Sequence, residues 1–287
     1  MFGADLRKRG RNLKLLALDM DGTLLNSNSM ILDSSVDAIK LALEKHVQVI
    51  LATGKARPAA IAAMEKVGLA GEGLVVSKSG AGIFLQGLAI YGPTGKLIDG
   101  GTLEMDVVSL VLEYAMERDV GVCGFLGETC ITPKMTAEIE LLHSRYYEPL
   151  ATIQPSLEQI LGGPKIRKLL LIADSSTISD QIRPELEEKL RNTGAVPVQA
   201  VDTMLEIVPR GWNKWRGMQG LLRHCEIPAE QVMAIGDGEN DFELIKGVGL
   251  GVAMGNAVPL VKKVAQHVVS GNDMHGVAEA IEKYILT

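Results

Sequence analysis

The sequence predicts an α/β protein with a parallel-sheet core that is interrupted by a second α/β unit. At both ends of the chain, apolar runs of strand length alternate with helical segments, the pattern of βαβ units. Over residues 84–208 this alternation gives way to hairpin-like strands mixed with helices. The 287 residues, 47% of them hydrophobic, are enough for two modest cores.

The N-terminal part predicts the first βαβ units. An apolar run at 13–18 predicts the first strand, and a run at 47–52 predicts the second. Between them we predict a helix at 34–46, entered by residues that favour helix starts, and after them a helix at 58–67. A third strand is predicted at 73–76. Connections of this length imply right-handed crossovers and parallel strands.

The central and C-terminal parts predict the insert and the return to the core. Residues 84–208 open with a hairpin at 89–98 and continue with helices and strands that carry none of the polar motifs described below. From residue 209 the alternation resumes, with a helix at 214–224 and a strand at 231–235. We therefore expect residues 1–83 and 209–287 to form the core and residues 84–208 to form an inserted domain.

Polar residues follow three of the predicted strands. The first strand ends in Asp19 and Asp21, spaced by one residue, and the second ends in Thr53-Gly54. In open parallel sheets, ligands bind beyond the carboxyl ends of the strands. A role in a turn is the ordinary alternative for either pair, so the strength of these pairs as evidence for a ligand site depends on the residues that accompany them.

The later motifs supply those residues. Lys214 lies in a segment rich in glycine and tryptophan ahead of a predicted helix, and Asp237, Asn240 and Asp241 follow the strand at 231–235. A group of carboxylates without histidine or cysteine suits a hard cation such as Mg²⁺. For Asp241 a helix-cap role stays open, as does a turn role for Asn240.

In this order the motifs resemble the four-motif signature of the haloacid dehalogenase (HAD) superfamily. The insert between the second and third motifs, together with Gly255-Asn256-Ala257 and the segment 270–278, resembles the Cof-type, class IIB branch. The resemblance implies a Rossmann-like core, and an inserted α/β cap that selects the substrate. Lys55 stands where this branch usually has arginine and Ser79 where it often has asparagine, and Lys55 offers a point charge instead of a two-pronged contact.

The resemblance also implies roles for individual acidic residues. Asp19 is expected to attack phosphorus and form an aspartyl phosphate. Asp21 is expected to protonate the leaving alkoxide and then to activate water. The expected Mg²⁺ ligands are one oxygen of Asp19, the backbone carbonyl of Asp21, Asp237 and, through water, Asp241.

Four other residues are expected to hold the phosphoryl group. Thr53 and Gly54 would donate hydroxyl and backbone N–H groups to its oxygens. Lys214 would offset the negative charge gathered there. Asn240 would orient the phosphate or the lysine.

Together these features predict a Mg²⁺-dependent phosphatase for a small phosphorylated metabolite, with a sugar phosphate as the favoured class. A phosphomutase of the same architecture is the alternative enzyme, and a non-catalytic phospho-acceptor or binding protein is the alternative from another class. The net charge of −6 argues against a nucleic-acid partner, and no apolar run approaches the roughly 18 residues of a membrane span. We expect a monomer or a small homo-oligomer.

Three cysteines without a CxxC pair favour a reducing, cytoplasmic location. For Cys123 and Cys130 two buried thiols are favoured over a bridge. The basic residues at 7–11 leave an organelle as the alternative location, if they are the remnant of a transit peptide.

Overall fold

The structure is a computed structural model that describes residues 13–287, so the basic residues at 7–11 lie outside the described part. Contacts divide the chain into two compact units. The first unit comprises residues up to Thr53 together with Ile61–Asp99 and Asn213–Thr287, and the second comprises Gly54–Ala60 and Gly100–Trp212. The sequence-based boundaries at 84 and 208 differ from these, because the segment up to Asp99 packs within the first unit.

The strands and helices alternate along most of the chain. The strands are β1 (Leu15–Leu18), β2 (Gln48–Leu51), β3 (Gly82–Phe84), β4 (Ala89–Tyr91), β5 (Leu97–Asp99), β6 (Gly121–Phe125), β7 (Cys130–Thr132), β8 (Thr152–Ile153), β9 (Lys168–Ile172), β10 (Ala195–Val201), β11 (Met204–Pro209), β12 (Val232–Gly236), β13 (Leu250–Ala253) and β14 (His267–Val268). The helices are α1 (Asp33–Glu44), α2 (Arg57–Glu65), α3 (Met105–Glu117), α4 (Ala137–Ser144), α5 (Leu157–Leu161), α6 (Ser175–Thr177), α7 (Arg183–Lys189), α8 (Lys214–Cys225), α9 (Phe242–Gly247), α10 (Pro259–Val264) and α11 (Gly276–Ile281).

The first unit contains a five-stranded parallel sheet in the order β14-β13-β12-β1-β2. Leu18 pairs with Ile235 of β12 on one side and with Leu51 of β2 on the other. All four residues of β1 are buried, as expected for a central strand covered on both faces. The predicted α/β fold with a parallel core is therefore confirmed, and the carboxyl ends of β2, β1 and β12 lie side by side.

The third strand of the sequence prediction is wrong. Val76 makes only an isolated bridge with Ala70, and Gly71 and Gly73 hold positive φ angles of 143° and 76° that interrupt an extended run. Val75 and Val76 of this segment are buried without forming a strand, whereas Leu74 is exposed. β3 begins six residues later, and it joins β4 and β5 in a separate antiparallel sheet.

The second unit is built on a six-stranded sheet in the order β10-β11-β9-β6-β7-β8. Its pairs are antiparallel except for β7 with β8, which run parallel. One core cluster joins α3, α7 and the central strands, with Val111, Leu171, Leu186 and Ile207 among its buried side chains. The sequence predicted the mixture of antiparallel strands and helices but missed β7 and β8.

The structure also bears on the predictions of buried thiols and of a chain without a membrane span. Cys123, Cys130 and Cys225 are free thiols. A hydrogen bond with Cys130, reinforced by burial, raises the pKa of Cys123, so its neutral thiol is favoured. Among residues 13–287, no helix is both long enough and apolar enough to cross a membrane.

Candidate functional site

The first acidic motif is fixed by the end of β1 and a tight turn. Asp19 is 4% exposed, and its backbone N–H donates to the carbonyl of Ile235 at 3.1 Å. Gly22 has a φ of +78°, and a Cβ there would lie 2.2 Å from Oδ2 of Asp237. Thr23 follows and donates its hydroxyl to Oδ1 of Asp237 at 2.7 Å. Glycine is therefore required for the first acidic turn to approach the later motif.

The later acidic motif forms a turn that Asp241 organises. Its Oδ2 accepts the backbone N–H groups of Asp237 at 2.9 Å and of Gly238 at 3.0 Å. Its Oδ1 accepts a hydrogen bond from Nζ of Lys214 at 2.7 Å. Asp241 is completely buried. It therefore shapes the loop that carries Asp237 and also binds the lysine.

Lys214 links the two acidic motifs. It is the first residue of α8, after Asn213, whose side chain caps the helix by accepting the N–H of Arg216 at 2.8 Å. Its Nζ lies 2.7 Å from Oδ1 of Asp19 and 2.7 Å from Oδ1 of Asp241. Burial by itself would lower the pKa of Lys214, but the two carboxylates outweigh it and raise that pKa. The lysine is therefore held as a buried cation.

Negative charge outweighs positive charge in this cluster. Asp19, Asp237 and Asp241 each offer a carboxylate oxygen, and these oxygens all lie within 4.8 Å of one another. Burial, followed by repulsion from Asp241, raises the pKa of Asp19 well above its usual range and that of Asp237 to about 7. Repulsion from Asp21 also contributes at Asp237. One lysine cannot balance these acids, so the site suits a hard divalent cation with oxygen ligands.

Thr53 and Gly54 follow β2 but belong to different units. Thr53 is fully buried, its N–H donates to the carbonyl of Ile83 at 2.9 Å, and its own carbonyl accepts the N–H of Gln86 at 3.1 Å. Gly54 clusters with the second unit, where its carbonyl accepts Nζ of Lys168 at 2.7 Å. Thr53 is therefore anchored by β3 and by the loop that follows it.

Sequence reasoning missed several residues around this cluster. Thr23 binds Asp237 as described, and Asn256 donates to the carbonyl of Gly22 at 2.8 Å and towards Oδ2 of Asp237 at 3.4 Å. Thr23 follows Asp21 by two residues and Asn256 lies in the segment Gly255-Asn256-Ala257, so their closeness to the motifs in sequence was the available signal. Gln86 accepts a hydrogen bond from Nδ2 of Asn240 at 3.0 Å, and no sequence signal marked it.

Lys55 and Ser79, the two residues that depart from the family pattern, make local contacts, as does Arg57, two residues after Lys55. In the second unit, Nζ of Lys55 lies 5.3 Å from the ring centre of Tyr146, and Arg57 pairs with Glu128 through Nε at 2.6 Å. In the first unit, Ser79 donates its hydroxyl to an exposed glutamate nearby. All three side chains therefore have protein partners within their own units.

Comparison with known proteins agrees with the four-motif pattern. A family model described as haloacid dehalogenase-like hydrolase matches residues 16–281. The chloroplastic endoribonuclease YBEY of Arabidopsis thaliana is 38% identical over 288 residues, covering 98% of this chain but 49% of that protein, so this chain spans about half of that relative. The 5-amino-6-(5-phospho-D-ribitylamino)uracil phosphatase YcsE of Bacillus subtilis is 28% identical over 276 residues, covering 96% of this chain and 97% of that protein.

The fold comparison covers almost the whole chain. A HAD/COF-like hydrolase from Plasmodium vivax superposes with a TM-score of 0.85 at 24% identity, covering 97% of this chain and 98% of that one. This likeness supports the fold, and the family match covers both acidic motifs and the lysine between them. The chain belongs to the haloacid dehalogenase-like hydrolase family.

Proposed function

We propose that this protein is a Mg²⁺-dependent phosphomonoesterase that acts on a small phosphorylated metabolite through an aspartyl phosphate. The observation that carries the proposal is the position of Lys214, whose Nζ bridges Asp19 and Asp241 at 2.7 Å each inside a buried acidic cluster. A nucleophilic carboxylate, a fixed cation and a metal-type set of acids are the parts that phosphoryl transfer requires.

The proposed reaction has two steps. An oxygen of Asp19 attacks phosphorus, the bond to the ester oxygen breaks, and Asp21 gives its proton to the departing alkoxide. Asp21 then takes a proton from water, and this water attacks the aspartyl phosphate. Inorganic phosphate leaves and the Asp19 carboxylate is regenerated. Oδ1 of Asp19 already binds Lys214, so Oδ2 is the proposed attacking oxygen.

The remaining motif residues hold the reacting group. Lys214, Thr53, Gly54 and Asn240 are the proposed partners of the phosphoryl oxygens. Asp19, Asp237 and the carbonyl of Asp21 would hold Mg²⁺, which supplies charge neutralisation between the carboxylates and the phosphoryl group. Both oxygens of Asp241 already accept hydrogen bonds, so we assign it a water-mediated role towards the ion.

The substrate class follows from the family and from one relative. We propose that the second unit acts as a cap that selects the organic part of the substrate, as the class IIB resemblance implies for the insert. The Bacillus subtilis relative is named as a phosphatase of a phosphoribityl compound, a sugar-alcohol phosphate, which supports a sugar or polyol phosphate here. A cytoplasmic location stays a prediction, and the chloroplastic name of the Arabidopsis relative supports the organelle alternative.

The test is phosphate release from a panel of sugar, polyol and nucleotide monophosphates, with and without Mg²⁺. The native chain is compared with Asp19→Asn and with Asp37→Asn, a control on the exposed face of α1. We expect Mg²⁺-dependent release that Asp19→Asn abolishes and Asp37→Asn leaves intact. Release that survives Asp19→Asn would sink the aspartyl-phosphate mechanism, whereas release that requires a bisphosphate activator would identify a mutase.

A further inference from the structure

The loop after β3 adopts an unusual backbone conformation. Leu85, Gln86 and Gly87 have consecutive positive φ angles of 52°, 61° and 88°. Left-handed geometry is unfavourable for residues with a Cβ, and two of these three residues have one. Such a conformation persists only where surrounding contacts hold it, and it is concentrated at functional sites.

Contacts to two of the catalytic motifs hold this loop. The N–H of Gln86 donates to the carbonyl of Thr53 at 3.1 Å. A Cβ on Gly87 would lie 2.2 Å from the carbonyl oxygen of Asn213, the residue that precedes Lys214. The loop therefore packs directly against the backbone of both motifs within the first unit.

The side chain of Gln86 reaches a further motif. Gln86 is 3% exposed and Asn240 is 9% exposed, and Nδ2 of Asn240 donates to Oε1 of Gln86 at 3.0 Å. Within the described part of the chain, Nε2 of Gln86 and Oδ1 of Asn240 are buried and have no hydrogen-bond partner. Rotating both carboxamide groups by 180° would interchange their oxygen and nitrogen atoms, but it would still leave one donor and one acceptor unpaired.

An unpaired amide N–H in the protein interior is unfavourable unless another group accepts its hydrogen bond. Asn240 is separated from Asp241 by a single peptide bond, and Asp241 binds Lys214. A phosphoryl oxygen brought to that lysine would be an anionic acceptor close to the amide pair. The chemistry of a phosphate ester therefore matches the group that the amide pair lacks.

We propose that Gln86 is a positioning residue of the phosphoryl site, whose carboxamide fixes Asn240 so that the amide pair presents an N–H donor to the phosphoryl oxygens of the substrate. This inference rests on the proposed phosphatase function and adds to it a residue outside the four motifs. The backbone of the same residue fixes Thr53, so Gln86 joins the second and fourth motifs through one short loop.

The experiment compares Gln86→Met with a matched control. Methionine keeps the length of the side chain and removes both polar atoms. Gln231→Met is the control. Among residues 13–287, Gln231 also has a buried amide oxygen without a hydrogen-bond partner, but it precedes β12 at the opposite end of the strand from Asp237. With p-nitrophenyl phosphate and Mg²⁺, we expect kcat/KM to fall about 10- to 100-fold for Gln86→Met and less than twofold for the control.

A structural role alone would not change phosphate affinity selectively. We expect the inhibition constants of inorganic phosphate and vanadate to rise about 10-fold in Gln86→Met at a temperature where both variants are folded. Unchanged inhibition constants, or equal losses in Gln231→Met, would overturn the proposal. Combining Gln86→Met with Asn240→Ala should give no greater loss than the larger single change, because the two amides act as a unit. Multiplicative losses would contradict the proposed coupling.

Phosphate binding tests the proposed role of Gln86 without requiring turnover. If the native chain releases phosphate from no ester, the proposed function fails, but binding of inorganic phosphate with Mg²⁺ can still be followed by thermal shift. A shift that is present in the native chain and in Gln231→Met but lost in Gln86→Met supports the positioning role. A shift retained in Gln86→Met, or absent from all three proteins, would overturn it.

Discussion

Each of the two units buries a lysine, but the charges around the two lysines differ. One lysine is matched by a single carboxylate, and the other lies among several. Lys214 in the first unit is 0% exposed, and Lys168 in the second is 2% exposed. Nζ of Lys168 lies 2.5 Å from Oε1 of Glu206, 2.7 Å from the carbonyl of Gly54 and 4.7 Å from the ring centre of Phe125. One cation therefore meets one anion, a carbonyl and an aromatic face, and the charges balance.

Lys214 lies in an unbalanced cluster. It binds Asp19 and Asp241 at 2.7 Å each, and Asp237 is part of the same acidic group. This surplus of negative charge destabilises the folded protein by itself, since like charges that are close and buried repel. The comparison indicates that Lys168 serves the structure, whereas the group around Lys214 keeps the surplus of negative charge that the proposed binding of a cation would offset.

Replacing Lys214 is expected to give the largest loss of activity. In Lys214→Met the phosphoryl oxygens lose their fixed cation and Asp19 loses the group that orients it, so kcat/KM should fall about 10²- to 10⁴-fold. Phosphate release at saturating Mg²⁺ measures this effect. Lys246→Met, on an exposed position of α9, is the control and should retain native activity. A loss of less than 10-fold would remove Lys214 from the proposed mechanism.

Replacing Lys168 is expected to affect stability more than activity. Lys168→Met leaves Glu206 buried without its cation, so the free energy of unfolding should fall by about 3–5 kcal/mol. Urea unfolding measures this loss, and below the unfolding transition kcat/KM should stay within about 10-fold of the native value. Adding Glu206→Leu should recover most of the stability, because a paired charge is replaced by apolar packing. If the double variant is no more stable than the single one, the balanced pair is not the source of the loss.

The same contrast explains what the sequence could predict. The acidic residues could be grouped because parallel strands bring their carboxyl ends to one edge, and Lys214 was added to them through the resemblance to the four-motif signature. The structure places Asp19, Lys214, Asp237 and Asp241 within one cluster. The Lys168 pair could not be predicted, because it depends on β9 and β11 becoming neighbours. Gln86 was missed because its role depends on a left-handed loop and on a partner 154 positions away.

The errors in the fold have a similar origin. β7 and β8 contain three and two residues, too few for alternation of apolar residues to be visible. The segment 73–76 has the composition of a buried strand, but the glycines around it direct the chain into turns. Local patterns therefore predicted long, repeated elements, whereas short strands and loops depended on tertiary neighbours.

The charge surplus also predicts a pH dependence in the absence of metal. Burial and Asp241 raise the pKa of Asp237 to about 7 in the folded chain, against an ordinary value of 3.8. Between these values the folded state retains a proton that the unfolded state has lost, so stability falls as pH rises through the window from about 4 to 7. Asp237→Asn lacks this titration. In EDTA, the variant should gain about 1–3 kcal/mol relative to the native chain between pH 5 and pH 8.

Urea unfolding at the two pH values tests this prediction. The gain should shrink when Mg²⁺ is added at pH 8, because the ion stabilises the native carboxylates but finds one ligand fewer in the variant. A difference in stability between variant and native chain that is the same at pH 5 and pH 8 would contradict the assigned titration. Asp37→Asn, which removes an exposed carboxylate from α1, serves as the control for general charge effects.

The smallest expected effects come from replacing one buried threonine in each unit. Thr23 donates to Oδ1 of Asp237 in the unbalanced cluster, whereas the hydroxyl of Thr132 lies 2.8 Å from each of the backbone carbonyls of Val122 and Lys134, which compete for its hydrogen, in the second unit. Either change to valine removes a buried hydroxyl and should lower stability by about 1–2 kcal/mol. Only Thr23→Val should also weaken activation by Mg²⁺, by about 10-fold, because an outer hydrogen bond orients a proposed metal ligand. Mg²⁺ titrations of phosphate release measure this difference, and equal activation constants in the two variants would show that Thr23 serves only the fold.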